Sequence, residues 1–515
     1  MVKAKRTVFD KLKTLLFGKD LRITEGKPYT EVREFDFTTY FPVENYIKKQ
    51  NIPTENFFDI RDFGADTDKS DNAHFINAAI NEASKNGGTV LISGGDFIST
   101  TVTLKSNVTL FISENSSICS NKSGKGYEKH RAVIYADGCE NITITGGGKI
   151  KGNGNLFGRK PAADKNNTCP ASYIDVIEMR RDYRSQLRFA HESKYGGPIS
   201  LINCRNIKVN NIIIENSAYW SFKLSNCNHA EISDFVINNN RNVANADGID
   251  IAGSSNINIY HCFISTADDG IVIKNAVWLG NKGSMSNISI NNCEIISRTN
   301  AIKVGTETTY DIKNIDINNC SLFMTDLYPG SVSGISLEAC DGTVLSDVKV
   351  SNIKMNRCTC PVFIRLGNRN RAAKVNSQSA NAIEFNAKTR KGGESSRKQF
   401  YGKSDITDIF IKDITADEIE LPIIIAGYRE KGKTKRVKNV KLENIKLNYA
   451  DIPETVDRRL FIPEYTKKYP ECWRFRNLPA YALWMRHTEN VKINNFVCNH
   501  PQKSWKKDII KIDCK

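Results

Sequence analysis

A four-residue unit that returns at solenoid spacing constrains this chain more than any other feature of its 515 residues. Asn141-Ile-Thr-Ile, Asn206-Ile-Lys-Val, Asn256-Ile-Asn-Ile, Asn287-Ile-Ser-Ile, Asn314-Ile-Asp-Ile, Asn439-Val-Lys-Leu and Asn490-Val-Lys-Ile each alternate polar and apolar residues. Alternation of period two marks a strand with one buried face. Asn206 and His229 open comparable units 23 residues apart, Asn287 and Asn314 lie 27 apart, and Asn206 and Asn256 lie 50 apart, which is two coils. Periods of this size mean stacked coils, each burying a face that its neighbours complete. Cysteines keep the register. Cys139 and Cys204 precede their unit's asparagine by two, Cys227 precedes His229 by two, and Cys262, Cys293 and Cys320 follow theirs by six. Stacking like on like predicts buried, reduced thiols. The segments lack a 3.6-residue period, which argues against a helical repeat, and a propeller blade is longer with other signatures. The reading is all-β: a right-handed parallel β-helix (solenoid) of roughly ten coils.

One helix stands near the front. From Asp71, the residues Phe75, Ile76, Ala79, Ile80 and Ala83 form one apolar face, with Ser70 or Asp71 as cap. Such a helix closes the open end of a solenoid. Residues 1–55 read as an N-terminal extension and 56–515 as a single β-helix domain, with insertions near 155–197, 370–404 and 450–479. Long loops on a rigid coil frame a groove.

Lysine and arginine number 73 against 57 acidic residues, a formal charge of +16, which favours an anionic partner. No zinc-finger spacing, RNA-binding aromatic signature or basic helix points to nucleic acid. No apolar run of about 18 residues points to a membrane span. The apolar run Thr14 to Phe17 is too short for a signal-peptide core, so a cytoplasmic location is expected. None of the 14 cysteines forms a metal-type CxxC pair, and neither a metal nor another cofactor is expected.

The chemistry concentrates in Asn245-Ala-Asp247-Gly-Ile-Asp250 and Thr266-Ala-Asp268-Asp269-Gly-Ile-Val-Ile-Lys274. Asp247 precedes Asp268 by 21 residues and Asp269 by 22, about one coil. Neighbouring coils lie roughly 4.8 Å apart, so the carboxylates should meet on one face. Like charges so close raise at least one pKa, and one protonated beside one ionised carboxyl is the equipment of general acid–base catalysis. An aspartate beside a glycine is ordinarily a turn residue. Three of them in one-coil register weigh the other way.

From Phe57 onward the sequence resembles glycoside hydrolase family 28, the polygalacturonase family. The resemblance rests on Asp59-Ile-Arg-Asp-Phe-Gly-Ala-Asp, Ile144-Thr-Gly-Gly-Gly-Lys-Ile-Lys-Gly-Asn-Gly, Asn216-Ser-Ala-Tyr-Trp-Ser-Phe and the two aspartate motifs. It implies an inverting enzyme cleaving acidic, pectin-type, galacturonic-acid-containing chains, with Asp268 as general acid and Asp247 and Asp269 activating water. The family's Gly-His-Gly motif falls on Thr299-Asn300-Ala301, without its histidine. Its Arg-Ile-Lys motif falls near Gly334-Ile-Ser-Leu-Glu, without either basic residue. Those groups bind the sugar carboxylate. Replacement cations are therefore expected among Lys303, Arg365, Arg369 and Arg371, with His487, Asn245 and Asn300 also facing the sugar. Trp220 reads either as a stacking platform or as a coil-edge aromatic. A β-eliminating pectate-lyase-type enzyme and a non-catalytic carbohydrate-binding solenoid are the alternatives.

Overall fold

The computed structural model describes residues 43–154, 196–240, 243, 245–324, 331–369, 402–450, 462–475, 478–500 and 506–515 apart from residue 122, together with strands Gly158–Arg159 and Ala190–His191. Among the described residues it is all-β with one α-helix, and the two long sheets are built from parallel pairings. The chain passes alternately from one sheet to the other. In the second sheet, twelve strands stack in sequence order, somewhat more than the ten coils expected.

The recurring asparagine marks a corner. Strands Arg205–Glu215, Asn228–Asn238 and Ser255–Thr266 pair in register, and each bends at two residues of left-handed φ: Asn206 and Asn211, His229 and Asp234, Asn256 and His261. Asparagine and aspartate tolerate that conformation better than other side chains with a Cβ. Their amides also stack from coil to coil: Asn256, Asn287 and Asn314 each donate Nδ2 to the preceding asparagine's Oδ1 at 2.7 Å. Between the corners the alternation fills the interior. Ile207, Ala230, Ile257, Ile288, Ile315, Val348, Ile409 and Val440 occupy one register column inside the core. Each aliphatic side chain buried in this way is worth about 1.5–3 kcal/mol.

Helix Ala73–Ala83 lays Ile76, Ala79, Ile80 and Ala83 on the first coils, as the periodicity predicts. Asp71 accepts from the Ala73 amide at 3.0 Å and Asn72 is the capping residue. Of the expected extension, residues 1–42 lie outside the described residues. Residues 43–50 run along the outside of the first sheet, where Tyr46 packs on Ile213, Val236 and Phe263, and Lys48 donates to Asn211. The insertions near 155–197 and 370–404 fall almost wholly outside the described residues. Of the third, residues 462–475 and 478–479 are described.

The thirteen described cysteines are free thiols; Cys204, Cys227, Cys262, Cys293 and Cys320 are buried and Cys139 is half-buried. Alkylation of the native protein should therefore spare Cys262, Cys293 and Cys320, and alkylation in denaturant without reductant should label all thirteen. Peptide mass spectrometry checks this, and a disulfide within either stack would contradict it.

The second sheet positions the site. Ile249, Ile251, Ile271, Ile273, Ile302 and Val304 face the core, so the alternate residues face outward. Register aligns Lys223, Asp250, Val272, Lys303 and Ser336 across successive coils on that outer face. Towards the C-terminus the same face turns apolar: Phe363, Ile424 and Trp484 are covered by Cys472, Phe475 and Leu478. Outward therefore does not mean exposed in this molecule.

Candidate active site

Asp247 and Asp269 stand just before strands Ile249–Ala252 and Ile271–Asn275, at equivalent places one coil apart. The ladder ties them together: the Gly248 amide donates to the Asp269 carbonyl and the Gly270 amide to the Asn300 carbonyl, both at 2.9 Å. A Cβ on Gly248 would lie 2.3 Å from the Gly270 oxygen, and one on Gly270 would lie 2.5 Å from the Ala301 oxygen. The glycine after each aspartate therefore lets the coils close up at this turn.

One carboxylate oxygen from each of Asp247, Asp268 and Asp269 lies within 4.8 Å of the others. Asp247 and Asp269 are buried and Asp268 is half-buried, so Asp268 is the acid best placed to reach a ligand. Burial, reinforced by Asp250 and Asp268, pushes the Asp247 carboxyl well above the usual range, against Lys274. For Asp269, burial works the same way. Lys303, Asn300 and Thr299 outweigh it and hold the carboxyl below its ordinary value. Two neighbouring acids are thus driven apart, one towards the protonated and one towards the ionised form.

Each buried aspartate has its own lysine. Lys274 Nζ lies 2.6 Å from Asp250 and 3.5 Å from Asp247. Lys303 Nζ lies 3.4 Å from Asp269, 3.4 Å from Glu471 and 3.9 Å from Glu338. Carboxylate oxygens this close could also bridge a cation, but two ammonium groups already supply positive charge to the cluster. Asp268 is steadied by Thr299, whose hydroxyl donates to its Oδ1 at 3.2 Å and to Asp269 at 2.7 Å. Trp220 is half-buried beside the site, with Lys274 Nζ 3.7 Å from its ring centre.

The expected substrate-binding residues meet different fates. Asn300, in the place of the missing histidine, is buried; its Nδ2 donates to Asp269 at 2.8 Å, so it positions that acid. Lys303 is buried and shared among three carboxylates, leaving its ammonium no free face for a sugar acid. Asn245 is exposed at the turn before Asp247, with φ 56°. Arg369 is half-buried above the Tyr469 ring, 3.9 Å from Asp341. Arg371 lies outside the described residues. His487 is a corner residue with φ 54°, held between Asp513 at 2.7 Å and Glu464 at 3.1 Å; these bonds fasten the coil and do not face the acids.

Arg365 requires a correction. It was expected as a strand-end cation for the sugar's acidic group, but it is 1% exposed. Its guanidinium donates to the carbonyls of Ala426, Gly427 and Glu464 and stacks on Phe475. Burial pulls its pKa down to about 10. The residue pins the covering segment to the sheet. Arg365→Ala should lower stability by about 2–4 kcal/mol, because it orphans buried carbonyls and opens a cavity. Denaturant unfolding checks this, and an unchanged midpoint with selective loss of acidic-sugar binding would restore the first expectation.

Sequence reading passed over Lys274, Asp250, Glu338, Tyr469 and Glu471. The first two were visible as outward-parity residues, Lys274 four places and Asp250 two places beyond the glycine of an aspartate–glycine turn. Tyr469 and Glu471 come from the covering segment, which no repeat places.

Residues 192–399 match the family model Glycosyl hydrolases family 28. Tomato (Solanum lycopersicum) Polygalacturonase-2 is 27% identical over 203 residues, 35% of this chain and 39% of that protein. A maize (Zea mays) Exopolygalacturonase is 26% identical over 324 residues, 60% of this chain and 69% of that one. The chain thus spans about two-fifths of the tomato enzyme. Among solved structures, a hyperthermoactive exopolygalacturonase from Thermotoga maritima superposes with TM-score 0.59 at 19% identity, covering 88% of this chain and 94% of that one. The family 28 exopolygalacturonase of Yersinia enterocolitica gives 0.57 at 18%, covering 90% and 78%. These structural likenesses speak for the fold. The segment carrying the three acids matches glycosyl hydrolases family 28, and the chain is polygalacturonase-like.

Proposed function

We propose that this chain is a glycoside hydrolase that cleaves glycosidic bonds in acidic, pectin-type chains containing galacturonic acid, by a single displacement with inversion. The observation that carries the reading is the three-acid cluster, with one acid half-buried and its two buried partners driven towards opposite protonation states. Asp268 gives its proton to the glycosidic oxygen as the bond to the anomeric carbon breaks. A water attacks that carbon from the opposite face and loses its proton to Asp269, the acid its neighbours hold ionised, while Asp247 hydrogen-bonds the same water. Oxygens no more than 4.8 Å apart are a span that one water bridges with two ordinary hydrogen bonds. Burial, with acidic neighbours beside it, pushes the Asp247 carboxyl up, so the cluster keeps a proton next to Asp268. The same reading takes the coil as a right-handed parallel β-helix, the sense that parallel crossovers adopt. It also takes the groove as walled by the insertions.

Reducing-sugar release should be measured on oligogalacturonides, rhamnogalacturonan and sulfated glycans, with proton NMR of the first-formed anomer. Release from galacturonic-acid-containing chains with inverted configuration is expected. A retained anomer would overturn the single displacement. An unsaturated product absorbing in the ultraviolet would point to β-elimination, and binding without turnover would point to a lectin-like solenoid.

A further inference from the structure

We propose that Lys223 is the cation that binds a substrate carboxylate beside the cleavage point. The inference rests on the hydrolase reading above and names a recognition group for it. Lys223 lies in strand Phe222–Ser225, and because Phe222 and Leu224 are in the core, it projects from the outer face. Register places it one coil from Asp250, on the side away from Lys303. Its Nζ is 6.0 Å from the Trp220 ring, which Lys274 also touches.

What separates Lys223 from its neighbours is that, among the described residues, no carboxylate stands at ion-pair distance from it; Asp250 acts on it only from further off. Lys274 and Lys303 each stand within 3.5 Å of a carboxylate. Among the described residues Lys223 makes neither a hydrogen bond nor an ion pair, although it is half-buried. An ammonium held partly out of water without a counter-charge is costly, and an incoming carboxylate relieves that cost. Burial pulls its pKa down, with Asp250 pulling the other way, so the pocket gains from a further negative charge. Trp220, half-exposed alongside, offers a flat apolar surface for a sugar ring next to the charged contact. Cation and aromatic together select a uronic acid over a neutral sugar.

The test compares oligogalacturonide with its methyl ester on wild type, Lys223→Met and Lys223→Arg, by turnover and by calorimetric binding of trigalacturonate. Lys223→Met should raise KM for the free acid on the order of 10- to 100-fold, the worth of a charge-assisted hydrogen bond. It should weaken trigalacturonate binding equally and leave the ester unaffected, while Lys223→Arg recovers part of the loss. Equal losses on acid and ester, or none on either, overturn the proposal. If wild type binds trigalacturonate without cleaving it and Lys223→Met abolishes binding, the hydrolase reading falls and Lys223 stands. If wild type neither binds nor cleaves it, both fall.

Discussion

Asp268→Asn should lower turnover of a natural oligosaccharide on the order of 10³-fold, about 4 kcal/mol of barrier, while an activated aryl glycoside loses far less. Departure of a sugar alkoxide requires a proton, whereas departure of an acidic phenol does not. A general acid is therefore recognised by how its loss depends on the leaving group. The substitution is suited to the test because asparagine keeps the shape. Thr299 can still donate to the side-chain oxygen, and the Ser297 hydroxyl still donates to the residue 268 carbonyl at 2.7 Å. Asp268 is only half-buried, so little stability should change. Asp269→Asn provides the contrast, since a base that activates water is needed whatever leaves, and its loss should fall equally on both substrates. Equal losses for Asp268→Asn would take the acid's role away from it. A second consequence follows from charge. Asp268 is among the groups that hold the Asp247 carboxyl up, so its neutralisation should let Asp247 ionise at lower pH.

The parts of this site that were legible in the sequence are those fixed by the coil. Parallel stacking makes sequence distance into spatial register, so 21 or 22 residues between aspartates meant adjacency, and the cysteine and asparagine columns could be followed the same way. The burial of the basic residues was not legible. Alternation with Ile364 and Leu366 in the core turns Arg365 outward, but outward on a solenoid ordinarily means solvent. Only the tertiary placement of residues 462–475 and 478 makes that part of the surface an interior. His487 was misread for a related reason. It is one of the corner residues, a class that includes His229 and His261, and its left-handed φ was the feature to look for. Asn300 was read as facing the sugar at the family histidine's place; its side-chain amide donates to the acid Asp269. Lys303 was seen as a free cation because Glu338 and Glu471, 35 and 168 residues away, carry no periodic signal.

Lys303→Met should move the acidic limb of the kcat/KM profile upward by about 1–3 pH units, and Glu471→Gln should move it downward. The limb reports the group that must be ionised, and Asp269 is that group if it is the base. Its surroundings are Asp247 and Asp250 from the preceding coil, Asp268 and Lys274 from its own, Lys303 and Glu338 from the following ones, and Glu471 and Tyr469 from the covering segment. Lys303 is the nearest cation, and without it burial alone would lift the Asp269 pKa, so activity would fail at a higher pH as the medium is acidified. Glu471 shares that same ammonium at 3.4 Å and repels Asp269. Removing its charge leaves Lys303 more fully to Asp269, which then stays ionised further into acid. Loss of Lys303 also strips three buried carboxyls of their cation, at a cost of about 3–5 kcal/mol in stability. For that reason the Glu471→Gln arm matters: it removes a charge without stranding one, and general damage cannot extend activity to lower pH. Shifts of the same sign in both variants, or a limb that moves in neither, would separate Lys303 from the base and reduce it to a fastening between the sheet and the segment that covers it.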